Sequence, residues 1–138
     1  MEKTLVLYPA TLMVALTLLL YIKNFLDNIK ATKNKDIKFS HFKTYSDNVP
    51  EYVAVSRQTL KNQFELPIIF YFLISLILIF EALTTLTLSL AWIFVISRYM
   101  HCYIRLTSNY VPYRAKIFQV GLLSLLACYI VFIYNILL

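Results

Sequence analysis

Four long apolar stretches dominate the sequence and limit what it can fold into. The predicted helices that contain them lie at about residues 5–26, 52–80, 83–106 and 114–137, and each is at least as long as the roughly 20 residues that an α-helix needs to cross a bilayer. Of the 138 residues, 60% are hydrophobic and 14% are charged, a balance that a soluble domain of this size could not bury. The sequence therefore predicts an all-α integral membrane protein, a four-helix bundle that forms one domain over residues 1–138.

The positions of the positive charges predict the topology. Lysines crowd the end of the first stretch and the following loop, 27–51, whereas Arg105, Arg114 and Lys116 flank the third connection. The second connection, around Glu81, has neither Lys nor Arg. By the positive-inside rule, the first and third connections are cytosolic and both termini are non-cytosolic.

The lysine-rich loop has other interpretations. It could bind nucleic acid or anionic lipid, but a solvated topology signal is the preferred reading, and no nucleic-acid partner is expected. Frequent Lys, Asn and Ile residues are typical of an AT-rich bacterial genome, so we expect the bacterial inner membrane. The residues themselves leave the endoplasmic reticulum open as the alternative.

The second helix carries polar residues near its cytosolic end. Its uninterrupted apolar run, 66–80, is about 22 Å long at 1.5 Å per residue, too short to cross the hydrocarbon. The helix must therefore include Gln58, Asn62 and Glu65. Their spacing of i, i+4 and i+7 places them on one face.

The third helix carries a matching polar row on one face: Arg98, His101, Cys102 and Arg105. Counted from the shared turn near Ala82, Glu65 and Arg98 both lie about 25 Å deep. Further out, Asn62 matches His101 and Gln58 matches Arg105. Because a lone charge at such depth costs several kcal/mol, Glu65 and Arg98 should be paired or face a solvated cavity.

At the membrane depth of these polar rows, the basic side chains outnumber the acidic ones. Arg98, Arg105 and Arg114, which precedes the fourth stretch, oppose Glu65 alone. The surplus of about two positive charges would attract an anion into a shared cavity. The alternative is that these polar groups only join the helices.

Several function classes are disfavoured. The outer halves of the second and third helices carry only hydroxyl groups, so a channel or transporter would lack a polar path. Gly121 is the only glycine, which excludes a P-loop and a dinucleotide fingerprint. His41 and His101 are the only histidines, so no metal site is predicted. Cys102 and Cys128 differ in depth by about 21 Å, too far for a disulfide.

The motifs at the polar level resemble those of the MAPEG family, the membrane-associated proteins of eicosanoid and glutathione metabolism. The resemblance is carried by RQTLKNQFELP at 57–67, by WIFVISRYMH at 92–101, and by Asn109 and Arg114 downstream. It covers nearly the whole chain from Tyr52 onward, and the chain looks most like the short bacterial members.

The resemblance implies a homotrimer of four-helix subunits that binds glutathione between neighbouring subunits near the cytosolic face. Family members include glutathione transferases, glutathione peroxidases, and leukotriene and prostaglandin synthases. The implied function is a glutathione-dependent transferase or peroxidase that acts on lipophilic electrophiles, with glutathione as co-substrate. The alternative is a non-catalytic member whose polar residues serve packing or anion binding.

The resemblance also implies roles for individual residues. Arg114 would be catalytic, because a guanidinium at the glutathione sulfur stabilises the thiolate. Arg98 and Lys23 would bind carboxylates, and Glu65 with Asn62 would bind the γ-glutamyl end. The full set of implied glutathione-binding residues is Lys23, Gln58, Asn62, Glu65, Arg98, His101 and Arg105.

Two departures from the family pattern argue against eicosanoid synthesis. Arg105 lies one turn beyond the histidine position of the third helix, where eicosanoid-synthesising members carry a tyrosine. Lys23 is the counterpart of a helix-one arginine, and lysine cannot reproduce bidentate carboxylate binding.

Overall fold

The computed structural model describes residues 2–45 and 48–137, which form helices and no strand. The helices are α1 (Leu7–Lys33), α2 (His41–Thr44), α3 (Glu51–Lys61), α4 (Leu66–Ile79), α5 (Thr85–Leu106) and α6 (Val111–Leu137). One 3-10 turn, Lys3–Val6, precedes α1, and another, Asn62–Phe64, joins α3 to α4. The all-α prediction is confirmed for the described residues.

Three helical segments are long and apolar enough to cross a membrane, namely Thr4–Lys33, Glu51–Ile79 and Val111–Leu137. The fourth long helix, α5, is not among them. Its polar residues face the interior of the protein, where Ser97, Arg98 and His101 are buried. Its exposed side chains are mostly apolar: Leu86, Ile93, Ile96, Met100 and Tyr103.

The helices pack as two main pairs, α5 with α6 and α1 with α3. In the core, the rings of Phe70 and Phe94 stack with their centroids 4.6 Å apart. Gly121 permits a close approach of α6 to α5, since a Cβ atom there would lie 2.6 Å from Ser97 Oγ. This approach occurs one residue before Arg98 and holds that part of α5 inside the bundle.

The helix that begins at Glu51 is broken within the polar motif, where the sequence predicted an uninterrupted helix over 52–80. Proline has no backbone N–H, and its ring clashes with the carbonyl four residues earlier. Pro67 therefore disrupts the helix at Gln63, and residues Asn62–Phe64 form a 3-10 turn. Glu65, with φ −107° and ψ −106°, lies outside the helical region.

The lysine-rich connection is more ordered than a solvated loop. Helix α1 continues to Lys33, beyond its predicted end near residue 26. Ala31, Ile37 and Val53 form a second small core that holds the connection against α3. His41 is fully buried, and its Nε2 lies 3.0 Å from Arg57 Nη2. Below, the end of the bundle that carries Lys23, Arg105 and Arg114 is called the basic end.

Candidate functional site

The polar row on α5 faces into the protein, as the sequence predicted. Arg98, His101 and Cys102 are 1%, 4% and 3% exposed, respectively. Arg105, one turn nearer the basic end than His101, is only partly buried. The helical periodicity therefore places all four side chains on the buried side of α5.

Arg98 is a buried cation with no hydrogen-bonding partner. Its Nε, Nη1 and Nη2 atoms make no hydrogen bond within the described part of the chain. The guanidinium lies 5.8 Å from the centre of the Phe118 ring, while Glu65 attracts it and Arg105 repels it electrostatically. An uncompensated buried charge costs several kcal/mol, so these donors are suited to an anion supplied from outside the chain.

Arg105 has its partners within the chain. Its Nη2 donates to Gln58 Oε1 at 2.7 Å. In the amide orientation of Asn62 that satisfies its neighbours, the amide oxygen accepts from Arg105 Nη1 at 2.8 Å. The predicted match of Gln58 with Arg105 is therefore observed. Asn62 also bonds Arg105 rather than the predicted His101, so both amides hold the same guanidinium.

Glu65 is exposed, and its carboxylate makes no hydrogen bond in the chain as described. No ion pair joins its carboxylate to Arg98 among the described residues, so of the two predicted alternatives, a pair or a solvated cavity, pairing within one chain is not observed. Its charge nevertheless acts on both Arg98 and Arg105. The helix break before Pro67 explains the difference, since Glu65 does not continue the helix face of Gln58 and Asn62.

Gln63 points into the interior, where the sequence had predicted its neighbours Asn62 and Glu65. It is 1% exposed, and its Nε2 donates to Cys102 Sγ at 3.4 Å. Its Oε1 is buried without a hydrogen bond. The signal that could have identified it is Pro67, four residues later, which predicts a change of register at Gln63.

Arg114 lies on the first turn of α6 and is anchored to the preceding connection. Its Nη1 donates to Asn109 Oδ1 at 2.5 Å. Asn109 has φ 49°, a left-handed conformation that asparagine tolerates better than most residues. The charge of Arg114 acts on both His101 and Arg105, so three arginines and one histidine influence one another at the basic end.

Lys23 is the sequence-predicted residue that stands apart from this cluster. Its Nζ lies 2.7 Å and 2.9 Å from the two carboxylate oxygens of Asp27, four residues later on α1. Asp27 is 9% exposed and neutralises the lysine. Lys23 lines a shallow groove with Cys102 and Tyr103, on the α1 side of α5.

The polar groups farthest from the basic end are satisfied within their own helices. Ser75 Oγ donates to the Tyr71 carbonyl, and Ser89 Oγ donates to the Thr85 carbonyl, both at 2.9 Å. Cys102 and Cys128 are free thiols, as predicted. The candidate site is therefore confined to the basic end.

A comparison with known families identifies the chain. The sequence model of the MAPEG family matches residues 6–134, which include both polar motifs and the connection before α6. The chain belongs to the MAPEG family. Comparisons with curated proteins and with solved structures found no significant match.

MAPEG proteins are membrane proteins, and the family is associated with glutathione in general. The match confirms the resemblance noted in segments 57–67 and 92–101 and extends it to the first apolar helix. In this MAPEG protein, the charge of Glu65 acts on Arg98 and Arg105, and the charge of Arg114 acts on Arg105. Three positive charges and one negative charge leave a net charge of +2 in this cluster. That balance suits a ligand with more acidic than basic groups.

Proposed function

We propose that this MAPEG protein is a glutathione-dependent membrane transferase or peroxidase that acts on lipophilic electrophiles. The observation that carries the proposal is the fully buried guanidinium of Arg98, which has no partner among the described residues. Glutathione carries two carboxylates, one ammonium group and a thiol, so its site needs more cations than acids. The cluster of Arg98, Arg105, Arg114 and Glu65 has that balance.

Each residue has a proposed task. Arg98 binds a carboxylate of glutathione, and Arg105, held by Gln58 and Asn62, adds positive charge at the same end. Glu65, with Asn62, binds the ammonium at the γ-glutamyl end. His101 Nδ1, buried without a hydrogen bond, is a further polar contact. Because Lys23 is neutralised by Asp27, it contributes less than the family resemblance implies.

Arg114 is the proposed catalytic residue. Its guanidinium, oriented by Asn109, stabilises the thiolate of glutathione and so raises the fraction of reactive sulfur. In the transferase reaction, the thiolate attacks the electrophilic carbon, a thioether forms, and the leaving group departs with the bonding electron pair. The electrophile enters from the bilayer, while the thiol enters from the cytosol.

We further propose four membrane spans, with α5 as the fourth, and a homotrimeric assembly in the bacterial inner membrane. The exposed apolar residues of α5 support its contact with lipid or with another subunit. The exposed Glu65 supports a site completed by a neighbouring subunit. A reporter fused after residue 138 should appear on the non-cytosolic side, and native mass spectrometry should show three chains; a cytosolic reporter or a monomer would contradict these assignments.

The function is tested by separating glutathione binding from chemistry. Glutathione should raise the unfolding temperature of the purified protein. Arg114→Ala should change glutathione affinity by less than about threefold but lower conjugation of an aryl chloride by about 100-fold, as expected for loss of a group that stabilises developing charge. An organic hydroperoxide, assayed in parallel, distinguishes peroxidase from transferase activity.

Lys116→Ala is the matched control, because Lys116 is an exposed cation two residues later on the same helix. It should leave both binding and conjugation unchanged. Conjugation that is insensitive to Arg114→Ala would contradict the catalytic assignment.

One observation favours a second candidate, a non-catalytic membrane protein that uses its polar residues for packing or for another anion. Arg105, Gln58 and Asn62 satisfy one another, as a purely structural cluster would. An unfolding temperature that does not respond to glutathione would favour this second function.

A further inference from the structure

A groove lies between α1 and the lysine-rich connection, outside the candidate glutathione site. Its volume is about 490 Å³. Helix α1 forms one wall from Tyr21 to Lys33, and three aromatic residues of the connection form the other: Phe39, Phe42 and Tyr45. This wall exists because His41 is buried and contacts Arg57, which holds α2 against α3.

The polarity of the groove changes along α1. Tyr21 and Phe25 lie toward the apolar stretch, the amides of Asn24 and Asn28 lie in the middle, and Lys33 lies at the far end. The twelve helical steps from Tyr21 to Lys33 cover about 18 Å along the axis of α1. The order of apolar, neutral polar and cationic groups matches the order of acyl chain, glycerol ester and phosphate in a phospholipid.

The Asn28 amide, in the middle of the groove, is only partly hydrogen-bonded within the described chain. Asn28 Nδ2 donates to the Asn24 carbonyl at 2.7 Å and to Asn24 Oδ1 at 3.2 Å. Asn28 Oδ1 is buried without a partner among the described residues. A buried acceptor of this kind is stabilised by a ligand that supplies a hydroxyl or an ammonium donor.

The charge of the groove favours an anion. Lys33 is the one charged residue among those that line it in the described structure, so no lining carboxylate neutralises it. Phe39 is 80% exposed and Tyr45 is 56% exposed. Exposed aromatic side chains beside lysine are typical of contacts with the interfacial region of an anionic membrane.

The connection holds Tyr45 in an uncommon conformation at the edge of this groove. Its φ is 54°, in the left-handed region that bulky residues seldom adopt. The Arg57 guanidinium lies 4.5 Å from the centre of the Tyr45 ring and stabilises this placement. Such conformations persist where the surrounding structure fixes them, often at binding sites.

We propose that this groove binds the headgroup of an anionic phospholipid that carries hydroxyl groups, such as phosphatidylglycerol. Lys33 contacts the phosphate, the partly hydrogen-bonded amide of Asn28 contacts a headgroup hydroxyl, and Tyr21 and Phe25 contact the acyl chains. The groove is separate from the Arg98 cluster, so the proposal holds whether or not the protein uses glutathione.

Native mass spectrometry of the purified full chain tests the proposal, with phosphatidylglycerol and phosphatidylcholine of identical acyl chains as probes. Phosphatidylglycerol should be retained about tenfold more than phosphatidylcholine, the factor expected for one charge-assisted contact. Lys33→Glu should remove this preference. Asn28→Leu should weaken retention of phosphatidylglycerol and leave that of phosphatidylcholine unchanged.

Lys38→Glu is the matched control, because it makes the same charge change at an exposed residue that does not line the groove. It should retain the preference for phosphatidylglycerol. Equal losses in Lys33→Glu and Lys38→Glu would overturn the proposal in favour of nonspecific attraction. Equal retention of the two lipids by the unmodified protein, or displacement of phosphatidylglycerol by glutathione, would also overturn it.

Discussion

Arg98 and Arg105 lie two turns apart on the same face of α5, yet their surroundings differ. Arg105 donates to the side chains of Gln58 and Asn62. Arg98 is buried more deeply, and its guanidinium has no hydrogen-bonding partner in the described part of the chain. The arginine closer to the basic end therefore has partners in the protein for both of its Nη atoms, with only Nε left without a hydrogen bond, whereas the deeper one has none for its three nitrogens.

The difference helps to separate a structural arginine from a ligand-binding one. A buried guanidinium without a partner destabilises a fold, so a fold that contains one must recover free energy elsewhere. A bound anion or a neighbouring subunit can supply that free energy. The buried guanidinium of Arg98, which lacks a hydrogen-bonding partner among the described residues, thus marks the position at which this protein depends most on an external partner.

The largest effect is expected for Arg98→Met. Methionine has a similar length but no charge, so the unliganded protein should be at least as stable as the original. Glutathione affinity should fall roughly 100-fold, equivalent to about 3 kcal/mol. Calorimetric titration gives the Kd, and thermal unfolding without glutathione gives the stability. A lower Tm with unchanged affinity would reverse the comparison and make Arg98 structural.

A smaller effect is expected for Arg105→Met. The change removes hydrogen bonds to Gln58 and Asn62, but water can replace them because Gln58 is exposed. The free energy of unfolding should fall by about 1 kcal/mol, and glutathione affinity should fall by about tenfold or less. Denaturant unfolding and the same titration measure both quantities.

A double-mutant cycle with Gln58→Ala shows whether that loss arises from the observed contact. The coupling between Gln58 and Arg105 should be about 0.5–1 kcal/mol. A coupling near zero would mean that Arg105 is no better satisfied than Arg98, and the contrast between them would fail.

The smallest effect is expected for Gln63→Leu. Gln63 contacts the buried side of α5, but its hydrogen bond to Cys102 is a weak sulfur contact, and its buried Oε1 has no partner among the described residues. Replacing the amide by an apolar group of similar size should change the free energy of unfolding by less than about 1 kcal/mol. Thermal unfolding of Gln63→Leu beside the original protein measures this difference. A loss of more than about 2 kcal/mol would indicate that Gln63 belongs to a polar network essential for folding.

The polar side of α5 could be predicted because α5 is one regular helix. Arg98, His101, Cys102 and Arg105 follow helical spacing, and all four turn inward or partly inward. The neighbouring motif was less predictable, since Pro67 breaks the helix and changes the register between Asn62 and Glu65. Periodicity gives side-chain directions only while the backbone remains regular.

The predicted role of Lys23 as a carboxylate-binding residue overlooked an ion pair within its own helix. Its partner Asp27 lies four residues later, a spacing that favours ion pairs on a helix. The carboxylate role assigned to Lys23 came from the family resemblance and took no account of this aspartate. The Lys–Asp pair shows that a cation must be weighed against its nearest acid before it is assigned to a ligand.

The amino-acid sequence by itself determined the helical class, the affinity for a membrane and the level at which polar residues gather, because lipid excludes unpaired charge and unsatisfied backbone groups. Tertiary structure decided which polar residues satisfy one another. Arg105 meets Gln58 and Asn62, while Arg98 meets none. Such pairing depends on the relative placement of helices to within about 1 Å, the tolerance of a hydrogen bond, and sequence spacing does not fix distances between helices so closely.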